Sequence, residues 1–256
     1  MGLRLKCDLL ELDDEAILDY LHYLKRKHKT PSDSFFKHTV YGLRYLYRIF
    51  ERTASRVILP SIDRPRKLPV VLSQEEVRRL LKAPKLLRHR LVLALLYGCG
   101  LRNFELCKLK IADIDLDRQT LHIRQGKGRK DRYVPLCDLL IRGIRAHLES
   151  DNPVEYLFNG KSRTADYTPL TARGVQWAIR EARRASGIKK QVTAHSLRHS
   201  YATHLLEMGT DIMTLKDLLG HQDIQTTLIY LHVARVGRKP AFSPLEKLYG
   251  NDGQKA

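Results

Sequence analysis

Residues 193–233 read TAHSLRHSYATHLLEMGTDIMTLKDLLGHQDIQTTLIYLHV. Leu197, Tyr201 and Leu205 supply an apolar face at helical spacing, and His195 and Arg198, three apart, project together from that helix. Gly209 and Gly220 close this helix and the next, DIMTLKDLLG. His221 then falls where the chain turns, and a third helical pattern, TTLIYLHVA, carries Tyr230. Helix after helix, each punctuated by glycine, sets the expected class as mainly α. The polar residues left at the helix ends direct attention to their partners upstream.

Upstream, RHRLVLALLYGCGLRNFELCKL is an apolar helix broken by Gly98 and Gly100 and restarted around Arg102. Glu105, one turn on, can orient that guanidinium from behind. The period then changes from helix to strand. DIDL, TLHIR, QGKGRKDR and YVPL read as a small antiparallel β-sheet with a basic hairpin tip bearing Lys127, and Arg129, Lys130 and Arg132 are expected to hold phosphates at the groove edge, contributing affinity rather than sequence reading. Ser73 and Glu76 form a capping box that starts a helix, IRGIRAHLES continues the helical pattern, and ARGVQWAIREARRASG runs from an N-cap at Thr171 to a stop at Gly187. SIDRPRKLP, residues 61–69, has linker composition. Before it, EAILDYLHYLKRKH repeats Ile17, Leu18, Leu21 and Leu24, and SFFKHTVYGLRYLYRIF repeats Phe36, Val40, Leu43, Leu46, Tyr47 and Phe50 as a core stripe. Lys37, Arg44 and Arg48 interleave with that stripe and suit a DNA backbone. The expected organisation is a short helical region (1–60), a linker (61–69), a mainly α domain with one small antiparallel sheet (70–235) and a polar tail (236–256).

With 256 residues and 43% hydrophobic content, the chain can bury a core. Its net charge of +18 favours a polyanion, because each phosphate neutralised releases counterions. A membrane fits less well, since no basic amphipathic stretch stands apart and no apolar run is long enough to span. MGLRLKCDLLELDDEA lacks a signal-type apolar region, and Cys7, Cys99, Cys107 and Cys137 form no CxxC pair. Reduced, mostly buried thiols in a cytoplasmic protein are expected.

Arg102, Lys127, His195, Arg198, His221 and Tyr230 together suit a phosphodiester. Arginines stay charged and match two phosphate oxygens at once, a tyrosine hydroxyl can attack phosphorus, and a lysine on a loop can protonate the departing 5′ oxygen. Taken alone, Tyr230 is an ordinary amphipathic core tyrosine; its reading as a nucleophile rests on the constellation. His195 and His199 have a zinc-like spacing, but no glutamate follows the first and no third ligand completes a set, so no metal is expected. His199 and His204 are read as structural or DNA-facing. The GKG turn lacks the rest of a P-loop, which argues against nucleotide binding.

YGCGLRNFELCKL, QGKGRKDRYVPL, TAHSLRHSYATHLLEMG and LKDLLGHQDIQTTLIYLHV, in this order, resemble the catalytic domain of the tyrosine recombinase (phage integrase) family, over about residues 68–235. The resemblance implies that Arg102, Arg198 and His221 bind the scissile phosphate, that Glu105 supports Arg102, and that His195 assists proton transfer and positioning. It makes Lys127 the general acid and Tyr230 the residue that forms a 3′-phosphotyrosyl link, without ATP, obligatory metal or other cofactor. It implies duplex DNA as partner and a homotetramer on a pair of DNA sites, monomeric or dimeric off DNA, with residues 236–256 packing on a neighbouring protomer. Such proteins usually carry a larger N-terminal helical set that closes a clamp over DNA. Residues 1–60 leave room for a shortened one, so an accessory DNA-binding protein is a candidate partner. Integration, excision, inversion, transposition and dimer resolution are all open as outcomes. The alternatives are a type IB topoisomerase, which shares the active-site chemistry, and a catalytically inactive DNA-binding protein.

Overall fold

The computed structural model describes residues 14–27, 33–50, 69–124, 131–160 and 168–234. The chain divides into two compact units, Met1–Lys67 and Leu68–Ala256.

In the first unit, α1 (Asp14–Lys27) contacts α2 (Asp33–Ile49). Ile17, Leu21, Val40 and Leu43 are buried, as their helical spacing predicts, whereas Leu18 and Phe50 of the same stripes are exposed. Phe50 lies just past the end of α2, where the apolar period no longer binds it to a face.

The second unit is built around α4 (Leu87–Gly98). Leu91, Val92, Leu93, Leu95 and Leu96 are all buried, so this helix is apolar nearly all round and must sit inside. It contacts α3 (Gln74–Lys82), α5 (Asn103–Cys107), α6 (Asp138–Asp151), α7 (Ala172–Ser186) and α8 (Ala194–Glu207). The helix ends follow their local chemistry. Ser73 Oγ accepts from the Glu76 N–H while Glu76 Oε2 accepts from the Ser73 N–H. Thr171 caps α7, and Gly187 ends it in the left-handed region at φ +68°.

A three-stranded antiparallel sheet, ordered β1 (Ile114–Asp115), β2 (Thr120–Ile123), β3 (Arg132–Pro135), lies alongside, with Leu121 opposite Val134 and Ile123 opposite Arg132. Period-two burial along Arg132, Val134 and Leu136 turns one face of β3 inward. β3 also contacts α9 (Ile212–Leu219), which Gly220 ends at φ +61°.

The final segment departs from the expected helix. TTLIYLHVA forms a single α-turn, α10 (Gln225–Leu228), followed by a 3₁₀ turn over Ile229–His232 that holds Tyr230. Thr226, Thr227 and Ile229 are β-branched and weak helix formers, which favours the shorter, tighter form. Cys99 and Cys107 are buried free thiols; Cys137 is exposed, because it is the N-cap of α6 where the chain leaves the sheet. Cys7 lies outside the described residues.

Candidate active site

The junction between α4 and α5 positions the first arginine. Gly100 takes φ +58°, and a Cβ there would meet Tyr201 Cδ1 at 2.5 Å, so only glycine lets the backbone pass this close to α8. The turn delivers Arg102 to the start of α5. Arg102 Nη1 donates to Glu105 Oε1 at 2.8 Å, its backbone N–H donates to Glu105 Oε2 at 2.8 Å, and Nη2 reaches the Gly220 carbonyl at 3.3 Å. Arg198, buried on α8, donates from Nη1 to the Gly100 carbonyl at 2.6 Å and from Nη2 to the Leu219 carbonyl. The two guanidiniums therefore clamp the same two chain turns, one before α5 and one after α9.

Arg132 completes the cluster in an unexpected way. Expected at the groove edge holding phosphate, it is instead buried, with Nη1 and Nη2 on the two Glu105 oxygens at 2.8 and 2.7 Å and Nε on the Leu218 carbonyl at 2.9 Å. Its place on the inward face of β3 is the reason: it shares that face with Val134 and Leu136, whereas Tyr133 and Pro135 between them are exposed. Three guanidiniums thus surround one carboxylate, leaving an excess of positive charge suited to an anion. Burial first, then the charge of Arg102, pulls Arg198 down to about 10. For Glu105, burial works upward, but the hydrogen bonds and charge of Arg132, then Arg102, outweigh it and hold the carboxyl at about 2.

Tyr230 lies on this cluster, 2% exposed, in a small apolar group with Tyr201, Ala202, Leu206, Leu215 and Leu219. Burial raises its hydroxyl pKa, opposed by the charges of Arg198 and Arg102. The His221 ring stacks on it at 6.4 Å and 10°, with Nδ1 bonded to Thr227 Oγ1 at 2.9 Å. Burial and then Arg198, Arg102, Arg132 and His199 push His221 down to about 3, so it is neutral at physiological pH.

The arrangement brings together Arg102, Glu105, Arg198, His221 and Tyr230. His195 is exposed at the rim, its ring 6.4 Å from that of His199, in a groove it shares with Asn103, Gln176, Arg180 and Arg183. Lys127, Arg129 and Lys130 lie outside the described residues, as does the side chain of Lys37. Arg44 and Arg48 are exposed on α2 in the other unit, with the Arg44 guanidinium 5.9 Å from the Tyr41 ring centre. The sequence reading set His199 aside as structural or DNA-facing, without its link to the tyrosine: its Nδ1 lies 3.0 Å from the Tyr230 hydroxyl. Its signal was a position one turn after His195, on the helix flank that α8 turns toward the 3₁₀ segment. His204 is structural, bonded through Nδ1 to the Tyr97 hydroxyl at 2.9 Å. Among the described residues no cluster of three or more His, Cys, Asp or Glu side chains could hold a metal ion, and no helix is long and apolar enough to cross a membrane.

A mainly helical scaffold with a small sheet, carrying a tyrosine on clustered arginines, is that of a tyrosine recombinase. The chain belongs to the phage integrase family, whose model matches residues 70–236. It is 41% identical over 229 residues to tyrosine recombinase XerA of Thermococcus kodakarensis, covering 87% of this chain and 78% of that one. The crystal structure of a XerA recombinase matches with a TM-score of 0.60 at 27% identity, over 100% of this chain and 88% of the other. A XerH recombinase in a post-cleavage complex with palindromic difH substrate matches in fold with a TM-score of 0.73 at 22% identity, over 94% and 72% of the two chains.

Proposed function

We propose that this recombinase cleaves and rejoins duplex DNA at specific sites through a 3′-phosphotyrosyl link on Tyr230. The observation that carries this reading is the gathering of buried Tyr230, clustered with Leu219 and stacked on His221, with Arg102 and Arg198, whose guanidiniums hold the carbonyls of Gly220 and Leu219. Arg102, Arg198 and His221 bind the scissile phosphate and stabilise charge that builds on its equatorial oxygens. Glu105 holds Arg102 in place, and His195 positions groups at the rim and assists proton transfer. Tyr230 attacks in line, the bond from phosphorus to the 5′ oxygen breaks, and Lys127 protonates the departing oxygen. The phosphotyrosyl ester conserves the bond energy, so the 5′ hydroxyl of a second strand can reverse the step without ATP.

The excess of basic residues supports duplex DNA as the partner, with Arg44, Arg48 and Lys37 of α2, and Arg129 and Lys130, contributing affinity. The working assembly is a homotetramer on a pair of sites, with residues 1–60 as a short helical DNA-binding region and 236–256 as a protomer contact. A plasmid carrying two copies of a site recovered by binding selection from a random-sequence pool tests this. Exchange of flanking DNA in EDTA without ATP is the expected result. Relaxed plasmid with no exchanged product would instead identify a topoisomerase.

A further inference from the structure

The Tyr230 hydroxyl has one hydrogen, and in a buried site that hydrogen needs an acceptor. His199 Nδ1 lies 3.0 Å away, with the rings 5.5 Å apart and tilted by 52°. The neighbouring histidines are placed differently. His221 stacks parallel to the tyrosine ring and its Nδ1 is engaged by Thr227 Oγ1; His195 is at the exposed rim, a ring further out. A phenol that donates to His199 Nδ1, with the imidazole's own proton on Nε2, satisfies that hydrogen.

We propose that His199 is the base that receives the Tyr230 proton during strand cleavage and returns it during rejoining. This rests on the phosphotyrosyl reading given above. As the bond between Tyr230 Oη and phosphorus forms, the phenolic proton passes to His199 Nδ1. The electron pair of the breaking bond leaves with the 5′ oxygen, which takes its proton from Lys127. In the reverse step the 5′ hydroxyl attacks, its proton returns to Lys127, and the departing phenolate is reprotonated by the His199 imidazolium.

The electrostatics suit that cycle. Burial first, then the charges of His195 and Arg198, hold His199 at about 4, so the ring starts neutral and able to accept. An arriving phosphodiester brings negative charge beside Arg198 and removes part of the field that opposes the imidazolium. A proton transferred in step with bond formation does not require a free phenolate. His195, one helical turn away, stands exposed at the rim with its ring 6.4 Å from that of His199.

The test uses a nicked duplex, recovered by binding selection from a random-sequence pool, that traps the covalent adduct. Asparagine at 199 keeps an acceptor near the Nδ1 position but cannot take a proton. His199→Asn is expected to form adduct about 10²-fold more slowly than wild type, with duplex affinity unchanged. Difluorotyrosine incorporated at position 230 has a more acidic hydroxyl, and should accelerate the His199→Asn protein far more than the wild type. Adduct formation by His199→Asn at the wild-type rate would overturn the assignment. So would a slow variant that the fluorinated residue accelerates no more than it does wild type, since the loss would then be one of packing. Absence of any Tyr230-dependent adduct from wild type would overturn the phosphotyrosyl reading itself, and the wild-type control separates that failure from the others.

Discussion

Glu105 and Arg132 form a two-point ion pair beneath the arginine site, with oxygen–nitrogen distances of 2.8 and 2.7 Å and side chains only 4% and 7% exposed. The same carboxylate receives Arg102, and Arg132 also holds the Leu218 carbonyl. One buried pair thus ties the start of α5, strand β3 and the end of α9 to each other, and these are the elements that present Arg102 and His221.

Removing Arg132 takes two hydrogen bonds from the buried Glu105 carboxylate and leaves Arg102 as its remaining hydrogen-bonded cation. Arg132→Met should cost about 3 kcal/mol in urea unfolding, near the lower end for a broken buried pair. It should also slow cleavage while leaving the salt dependence of DNA binding unchanged. A phosphate contact would behave differently: losing it would reduce the salt slope by about one. A reduced slope in Arg132→Met would therefore contradict the strut and restore the phosphate role.

Acid should loosen this site in two stages. His199 and His221 are depressed to about 4 and about 3, in each case by burial first and then by nearby positive charge. Glu105 is held at about 2 because its arginine partners outweigh the upward effect of burial. At each site the folded protein binds fewer protons than the unfolded chain, so stability rises with pH. The histidine contribution is complete above about pH 6.5 and declines toward pH 3–4; that of Glu105 follows as pH falls through its folded value. The urea midpoint should fall from pH 6.5 to 4, and His221→Gln should flatten that fall. A wild-type midpoint independent of pH over this range would count against neutral buried histidines.

Gly100 is the position at which the backbone itself is constrained. Gly100→Ala would place a methyl 2.5 Å from Tyr201 Cδ1 at a left-handed φ of +58°. A loss of about 1–3 kcal/mol is expected, because strain and a clash with a ring combine. Cleavage should slow further than stability alone explains, since Gly100 also supplies the carbonyl that holds Arg198. Thermal melts and adduct rates on the same preparations would check both parts.

What could be read from the sequence was local. Ser73 with Glu76, Thr171, Gly187 and Gly220 each set a helix end through atoms a few residues apart, and each appears as read. The alternation in YVPL likewise gave the sheet. Arg132 was misplaced although its signal was present: two residues before Val134, it shares that residue's inward face. A basic side chain in a basic hairpin invited the wrong weight. His199 could not be assigned because its partner Tyr230 is 31 residues away and meets it only after α9 has turned the chain back. The 3₁₀ turn at Tyr230 was hidden for a related reason, since apolar spacing over so few residues does not separate a 3₁₀ turn from an α-turn.

The acid role proposed for Lys127 has a chemical test that does not depend on its geometry. Lys127→Ala should slow cleavage at an ordinary 5′ oxygen far more than at a 5′-bridging sulfur, which departs without protonation. The difference should fall in the range of about 10²–10⁴ typical of general acid catalysis. Equal losses on the two substrates would remove Lys127 from that role.

The most direct measurement is to trap the protein on a nicked duplex, denature it in SDS, digest it and identify the DNA-linked peptide by mass spectrometry. The account predicts a 3′-phosphate ester on Tyr230, absent from Tyr230→Phe, with that variant still binding the duplex. A DNA link at another residue, or an adduct that survives Tyr230→Phe, would contradict it.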